Sequence, residues 1–403
     1  MSPLADRVAA SIARPAAKGG SPLLDPPGLG TAQLAAPSLP RWQALRATIA
    51  RGRADELCPR LEAQLAELHR TPGQPAPEVV ALSNASYGLV MVPALLARGR
   101  PGPVAMSSFS FRGLPYLAVP WGRRPRFLDV TSPGGVIDPQ HVERVLAREP
   151  VACVLAVHNV HWRCDVDAIG AIAKARETPV FYDSVWALGA TTRGRPTGGD
   201  GVAEVFSLHA TKLLNGFEGG YVTTHDAELA AELRRLRAGL PCSQGLVPGL
   251  PCTLPPAHAA MALACLDTLP EVVARNHIRW DAWDHALADI DHVRLLRDEP
   301  GETHARSSAL LWVDEDAPFT RDHLLTMLNR ERILARRYFD PPLHVAPQWT
   351  ADVSEPLPGA EALSQRILQL PVGELVSVEV IAAIGQLIRG WVSTGACIQG
   401  ETP

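Results

Sequence analysis

Hydrophobic and polar positions along the chain switch between a helical period and short apolar runs. From Leu39 to His69 apolar residues recur at helical spacing (Trp42, Leu45, Ile49, then Leu57, Leu61, Leu65 and Leu68), which predicts two helices broken near Cys58-Pro59. A Pro- and Gly-bearing connector, Thr71 to Pro77, precedes EVVALS, a buried strand ending at Ser83, and then NASYGLVMVPALLARG, a polar turn opening an apolar helix. Further apolar runs follow at α/β spacing: VAMSSFSF around 104–111, PRFLDV at 125–130, CVLAVH at 153–158 and PVFYDS at 179–184. The last of them is EVFSLHATKLLNGFEGGYVTT, from Glu204 to Thr224. Helices over Asp138–Ala147 and Val166–Ala175 fill gaps between them. Strands alternating with helices predict a largely parallel sheet that binds ligands at the carboxyl ends of its strands. Those ends are Ser83–Ser86, Ser108–Phe111, His158, Asp183 and Ser207–Lys212.

Beyond Leu254 the pattern predicts a long helix (His258–Asn276), a second helical piece through Trp280, Trp283 and Leu287, and a smaller α/β unit. Its strands fall in SSALLWVD and ERILARRYF, and a last helix, Ser377–Trp391, packs the small unit on the large one. The expected organisation is a loosely ordered, Ala-, Pro- and Gly-rich extension (1–40), a large domain (41–250) and a small C-terminal domain (251–403). A length of 403 residues suits two such domains, and 46% hydrophobic with 20% charged residues is an ordinary globular balance. A formal charge of -4 argues against a nucleic-acid partner held by bulk electrostatics. Seven scattered cysteines without a CxxC pair suggest neither a disulfide framework nor a metal site, and a reducing cytoplasm fits them. No apolar run approaches the roughly 20 residues that span a bilayer, so no membrane partner is expected, and the N-terminus lacks the apolar core of a signal peptide.

The chemistry concentrates in Glu204–Thr224. A short strand (Val205, Phe206) delivers Ser207, His209 and Lys212 into a turn, and Asn215 to Gly220 lead into a second strand beginning at Tyr221. A lysine between two strands, ringed by hydroxyl, imidazole and carboxamide groups, suits a phosphorylated aldehyde cofactor, pyridoxal 5'-phosphate (PLP), bound as a Schiff base. Such a lysine reacts only when unprotonated, so it needs a lowered pKa and shelter. A solvated lysine in a surface hairpin is the plain alternative. Asn84, Ala85 and Ser86 open a helix whose first-turn amides lack internal partners and favour an anion, although any strand–helix unit with a polar cap reads alike. Asp183 ends an apolar strand, where a buried carboxylate needs a cation such as a pyridinium nitrogen, or else caps the next segment. Phe111 either joins the core or stacks on a cofactor ring.

On these residues the chain resembles the DegT/StrS-type aminotransferases. SLHATKLLNGFEGG matches the family's Ser-x-His-x-x-Lys segment followed by Asn and Glu-Gly-Gly; DSVWALGA matches its strand-end Asp before Ala-Leu-Gly-Ala. SNASYGL matches its phosphate turn loosely, Phe111 falls on its aromatic position, and RRYFDPPLH (Arg336–His344) is similar to its small-domain segment. The resemblance implies an α/β fold-type I PLP-dependent transferase, with a mostly parallel seven-stranded sheet, helices on both faces and a smaller α/β C-terminal domain. It implies Lys212 as the Schiff-base lysine, Asp183 at the pyridine nitrogen, and Ala85, Ser86 and Ser207 at the phosphate. It also implies a homodimer with shared sites, in which Asn215 reaches the neighbouring subunit's phosphate. His209 orients the lysine loop or contacts the cofactor, and His158 reads as a satisfied core histidine. Arg336 and Arg337 either bind an anionic substrate group or stand in solvent.

The departures are specific. Trp186 stands where the family has Gln or His at the cofactor's phenolic oxygen, His161 replaces a Gly, and Ala85 replaces the Gly of the phosphate turn. The stretch 239–256, with five prolines, replaces one that in the family carries a basic residue and helps to hold the sugar nucleotide. The expected activity is amino transfer from an amino-acid donor, glutamate, to a keto-sugar acceptor. A PLP enzyme of different outcome (decarboxylation, elimination or oxidation) and an inert regulatory protein are the alternatives.

Overall fold

The computed structural model describes residues 3–24, 33–118 and 122–397. Seven strands form the central sheet: β1 (Glu78–Leu82), β2 (Val104–Ser107), β3 (Pro125–Leu128), β4 (Cys153–Val157), β5 (Val180–Asp183), β6 (Ala203–Ser207) and β7 (Gly220–Thr224). Their order is β1-β7-β6-β5-β4-β2-β3. Only β7 runs against its neighbours; β2 through β6 pair in parallel, so the carboxyl ends of β1 to β6 share one edge. The strands are apolar on both sides because both faces are covered. Val80 and Leu82 of β1 enter one core with helices Ala85–Leu96 and Pro139–Arg148, while Val79 and Ala81 enter another with helices Leu57–Leu68 and Pro256–Leu266. Helix Ala85–Leu96 lies close against β6 and β7 at Gly88, where a Cβ would come within 2.9 Å of Val205 and 3.0 Å of Val222. That contact carries the helix N-terminus onto the sheet edge.

A second sheet, in order β8-β9-β11-β10 and antiparallel throughout, comprises β8 (Val293–Leu295), β9 (Ala309–Val313), β10 (Arg336–Arg337) and β11 (Ile367–Leu370). Helices Leu269–Leu287 and Val378–Ser393 pack with it in a separate core built around Trp283 and Trp391. Helix Pro256–Leu266 packs in the core beneath Val79 and Ala81, and the next helix starts in that same core with Leu269 and Val272 before it reaches the second core at Trp280 and Trp283. The expected His258–Asn276 helix is broken at Asp267–Thr268.

Three further expectations are corrected. The first two helices end and begin at Ala50 and Leu57, and Pro59 sits inside the second helix's first turn, where its missing N–H has no partner to lose. ERILARRYF contributes only Arg336–Arg337 as strand. The N-terminal extension is ordered in Pro3–Leu24: helix Pro3–Ala13 packs along Val378–Ser393, and Val8 and Leu23 are buried in the small core. Residues 1, 2 and 25–32 of that extension lie outside the described residues. Its anchor is Glu331, fully buried, which accepts hydrogen bonds from Ser11 Oγ (3.1 Å) and from the Ala16 and Leu23 N–H groups (both 2.7 Å).

Removing this acceptor strands three donors. Glu331→Ala is expected to lower the unfolding free energy by about 3 kcal/mol in urea denaturation and to open Arg7 and Arg14 to trypsin. Unchanged stability with both arginines still protected would make the anchor incidental.

Candidate active site

The turn between β6 and β7 is tied by its own main chain. Leu208 N–H donates to Gly219 O, Ala210 N–H to Phe217 O, and Gly216 N–H to Leu208 O, at 2.7–2.9 Å. Lys212 N–H donates to His209 O at 2.8 Å, closing a tight turn that presents the lysine at the sheet edge. His209 bridges the turn: Nδ1 lies 2.6 Å from Thr211 Oγ1 and Nε2 lies 3.2 Å from a Glu218 carboxylate oxygen. Ser207 Oγ accepts from the His209 N–H (3.2 Å) at the carboxyl end of β6.

Asp183, the last residue of β5, is buried and accepts a hydrogen bond from the Val185 N–H at 3.1 Å. Burial pushes its carboxyl up to about 6, while the Val185 N–H and the Lys212 ammonium pull the other way. At pH 7 it is ionised by about ten to one. The Lys212 ammonium lies 3.4 Å from the centroid of the Trp186 ring, in cation–π contact. Desolvation lowers its pKa to about 8; Asp183 opposes that shift and the nearby Arg336 guanidinium assists it. A buried carboxylate, a sheltered amine of lowered pKa and an indole face thus meet at adjacent strand ends.

The helix Ala85–Leu96 starts beside them. Asn84 Oδ1 caps it by accepting from the Ser86 N–H (2.9 Å). A Cβ on Gly220 would lie 2.4 Å from the backbone of Ala85, so glycine there lets the first turn of the helix meet the start of β7. Ala85 and Ser86 therefore sit near Ser207, as a phosphate cradle requires. Phe111 is 54% exposed, folded over Gly113, and borders an open groove of about 480 Å³ that Arg112, Arg336, Arg337 and Phe339 also line. Arg337 is neutralised by Asp322 and Asp340, whereas Arg336 forms no ion pair among the described residues.

Asn215 is held by its own chain: its amide donates to Ala35 O (3.0 Å) and accepts from the Phe217 N–H (2.8 Å). These bonds use one of the two Nδ2–H donors, so the second is left for another acceptor. His158 stacks on Tyr182 (centroids 4.7 Å apart) and accepts from the Cys164 N–H, and its Nε2 faces Asp200 and Glu204 at 3.7 and 3.9 Å without a hydrogen bond. Arg163 is ion-paired with that same Asp200, which disfavours a metal cation there.

Two residues of the site escaped sequence reasoning. Tyr338 is buried, its phenol pushed well up by desolvation and further by the Asp183 carboxylate, and its hydroxyl donates to Asn159 Oδ1 (3.3 Å). Asn159 in turn donates to Gly134 O and Gly135 O. The only signal for Tyr338 was its place in RRYFDPPLH, and none marked Asn159.

This geometry fits PLP. The carboxylate offers a partner for a pyridinium, the amine a nucleophile for an aldehyde, and the N-terminus of helix Ala85–Leu96 with the Ser86 and Ser207 hydroxyls a place for a phosphate, although the Ser86 N–H is already taken by Asn84 Oδ1. It suits a PLP-dependent enzyme of the α/β class. Residues 46–389 match the model of the DegT/DnrJ/EryC1/StrS aminotransferase family, and the chain belongs to that family. Among solved structures it is similar to DesI, solved in the presence of its TDP-sugar product, with 30% identity over 95% of this chain and 97% of that one (TM-score 0.85). The sugar aminotransferase CalS13 from Micromonospora echinospora shares the fold at 22% identity, over 90% and 99% of the two chains (TM-score 0.78). So does Spr1654 from Streptococcus pneumoniae, solved in a PLP form and a PMP form, at 19% identity over 83% and 92% in the former (TM-score 0.73).

The chain has three lysines, Lys18, Lys174 and Lys212, so amine reactivity is readable residue by residue. In cofactor-stripped protein, acylation of Lys212 is expected to rise with pH to a midpoint near 8. Asp183→Asn removes a neighbouring anion that favours the ammonium, so the midpoint should fall below that of the parent. A Lys212 midpoint near the ordinary value of about 10.4 would contradict the sheltered-amine description.

Proposed function

We propose that the protein is a homodimeric aminotransferase that moves an amino group from glutamate to a nucleotide-linked keto-sugar. The observation carrying this reading is Lys212, with its pKa lowered to about 8, set between the Asp183 carboxylate and the Trp186 ring. PLP, when bound, supplies an electron sink that makes a carbon-bound proton of the substrate labile. In this reading Lys212 Nζ would hold the cofactor and, when free, would take that proton and return it. A pKa of about 8 suits both duties. Asp183 keeps the pyridine nitrogen protonated. Ala85, Ser86 and Ser207 hold the phosphate, and Phe111 and Trp186 bound the ring. His209 keeps the lysine turn in register.

The acceptor assignment draws on DesI, whose structure contains a TDP-sugar product. The groove beside Phe111 suits an anionic substrate group, because Arg336 has no ion pair among the described residues, while Asp340 in the same groove is paired with Arg321 and Arg337. Trp186 supports a second reading, a PLP reaction of other outcome, since an indole can donate only one N–H where the family has Gln or His.

The test is to incubate the holoenzyme with glutamate, measure 2-oxoglutarate, and then add a panel of nucleotide-linked keto-sugars and identify the aminated product. Release of CO₂, ammonia or peroxide in place of 2-oxoglutarate would select the second reading. Arg336→Gln should raise KM for one anionic substrate about 10- to 100-fold, the worth of a charged hydrogen bond, with kcat changed less. An unchanged KM for both donor and acceptor would place Arg336 outside the site.

A further inference from the structure

Residues 33–38 precede the family-matched stretch, which begins at residue 46, and they cross the turn that carries Lys212. Gln33 and Leu34 N–H groups donate to Thr211 O and Ala210 O, each at 3.2 Å, and the Asn215 amide donates to Ala35 O. The main chain of this strap thus takes up groups on both sides of the lysine. Its other side faces the smaller body. Gln33 is 1% exposed; its Nε2 donates to Ser307 O (2.5 Å), its Oε1 accepts from Asn276 Nδ2 (2.8 Å), and its carbonyl accepts from the Glu374 N–H (3.0 Å). Asn276 lies on helix Leu269–Leu287, Ser307 leads into β9, and Glu374 follows β11. Two more bonds, Ser38 N–H to Ala264 O and Thr268 Oγ1 to Ala36 O (both 3.0 Å), fasten the strap beside the break between helices Pro256–Leu266 and Leu269–Leu287.

Gln33 therefore joins the lysine turn to three separate parts of the smaller body through hydrogen bonds sealed from water. A residue that only filled space there would need none of them, and an amide buried without partners is costly. We propose that Gln33 is a positioning residue: through the strap it fixes the Lys212 turn against the smaller body, so that the placement of the amine depends on how that body is seated. Substrate binding that shifts the smaller body is then felt at Lys212 without any contact between the two. The proposal rests on Lys212 being the reactive amine.

Gln33→Met keeps the volume and removes the side-chain bonds, and Asn276→Ala removes one of them from the other side. In full-length, cofactor-stripped protein both substitutions should let water reach the turn and raise the Lys212 acylation midpoint by about half a unit or more toward that of a solvated lysine. In the holoenzyme the single-turnover rate with glutamate should fall about tenfold, with the donor's apparent affinity changed less, as misplacement of a reacting group implies. The double variant should fall short of the sum of the two single effects, because the two residues share a bond while Gln33 also holds Ser307 O and Asn276 also holds Ala305 O. Midpoints and rates unchanged in both variants, or effects that add, would overturn the strap. Should Gln33→Met fail to fold, Asn276→Ala decides alone. A parent protein whose Lys212 titrates as a solvated lysine would overturn the active-site reading itself, which separates the two failures.

Discussion

The constraint on which the site depends is the burial of Asp183 at the end of β5. A carboxylate there cannot stay ionised in an apolar sheet without a cation, and the nearest one is itself half-buried. Desolvation acts on both groups: Asp183 moderates the fall of the Lys212 pKa to about 8, and the Val185 N–H, with Lys212 behind it, moderates the rise of the Asp183 pKa to about 6. Asp183 accepts from the Val185 N–H, and Lys212 rests on the Trp186 face. A cationic heterocycle bound beside Asp183 would take over the part played by the ammonium and leave the amine free for chemistry. Asp183 and Lys212 act on each other through space, with no direct salt bridge between them among the described residues.

The surrounding fold serves that arrangement. Parallel strands align their carboxyl ends, and Gly88 and Gly220 let one helix bring its N-terminus to the same edge. The antiparallel β7 returns the chain immediately after the lysine turn, so the turn is short and closed by its own main chain. The smaller body contributes Tyr338 and Arg336 from one segment, the first beside Asp183 and the second close enough to depress the Lys212 pKa. Large- and small-body groups therefore act on the same two charges.

Much of this was legible because buried parallel strands spell uninterrupted apolar runs, and polar residues ending such runs mark the ligand edge. Asp183, Ser207 and Lys212 stood out for that reason, and helix Val166–Ala175 was bounded correctly by its periodicity. What escaped is held by contacts distant in sequence. Helix Pro3–Ala13 is short and Ala-rich, and its order comes from Glu331, over 300 residues away, which no local pattern announces. Asn215 was legible as a polar residue near the lysine, but its partner, Ala35 O, lies in a Pro- and Ala-rich stretch that reads as loose chain. Asn159 and Tyr338 meet only because the smaller body folds back over β4. The rewritten 239–256 stretch, proline-rich and without periodicity, returns to the site edge through the Cys252 carbonyl, which accepts from the Ser83 N–H (2.7 Å).

The central claim is that Lys212, and no other lysine, carries the cofactor's aldehyde. Borohydride reduction of the holo-protein followed by peptide mapping tests it directly, since Lys18 and Lys174 are the only competing sites in the chain. The predicted result is loss of the visible absorption band and a single pyridoxyl group on Lys212. A label recovered on Lys18 or Lys174, or a folded protein that binds no PLP, would contradict the account.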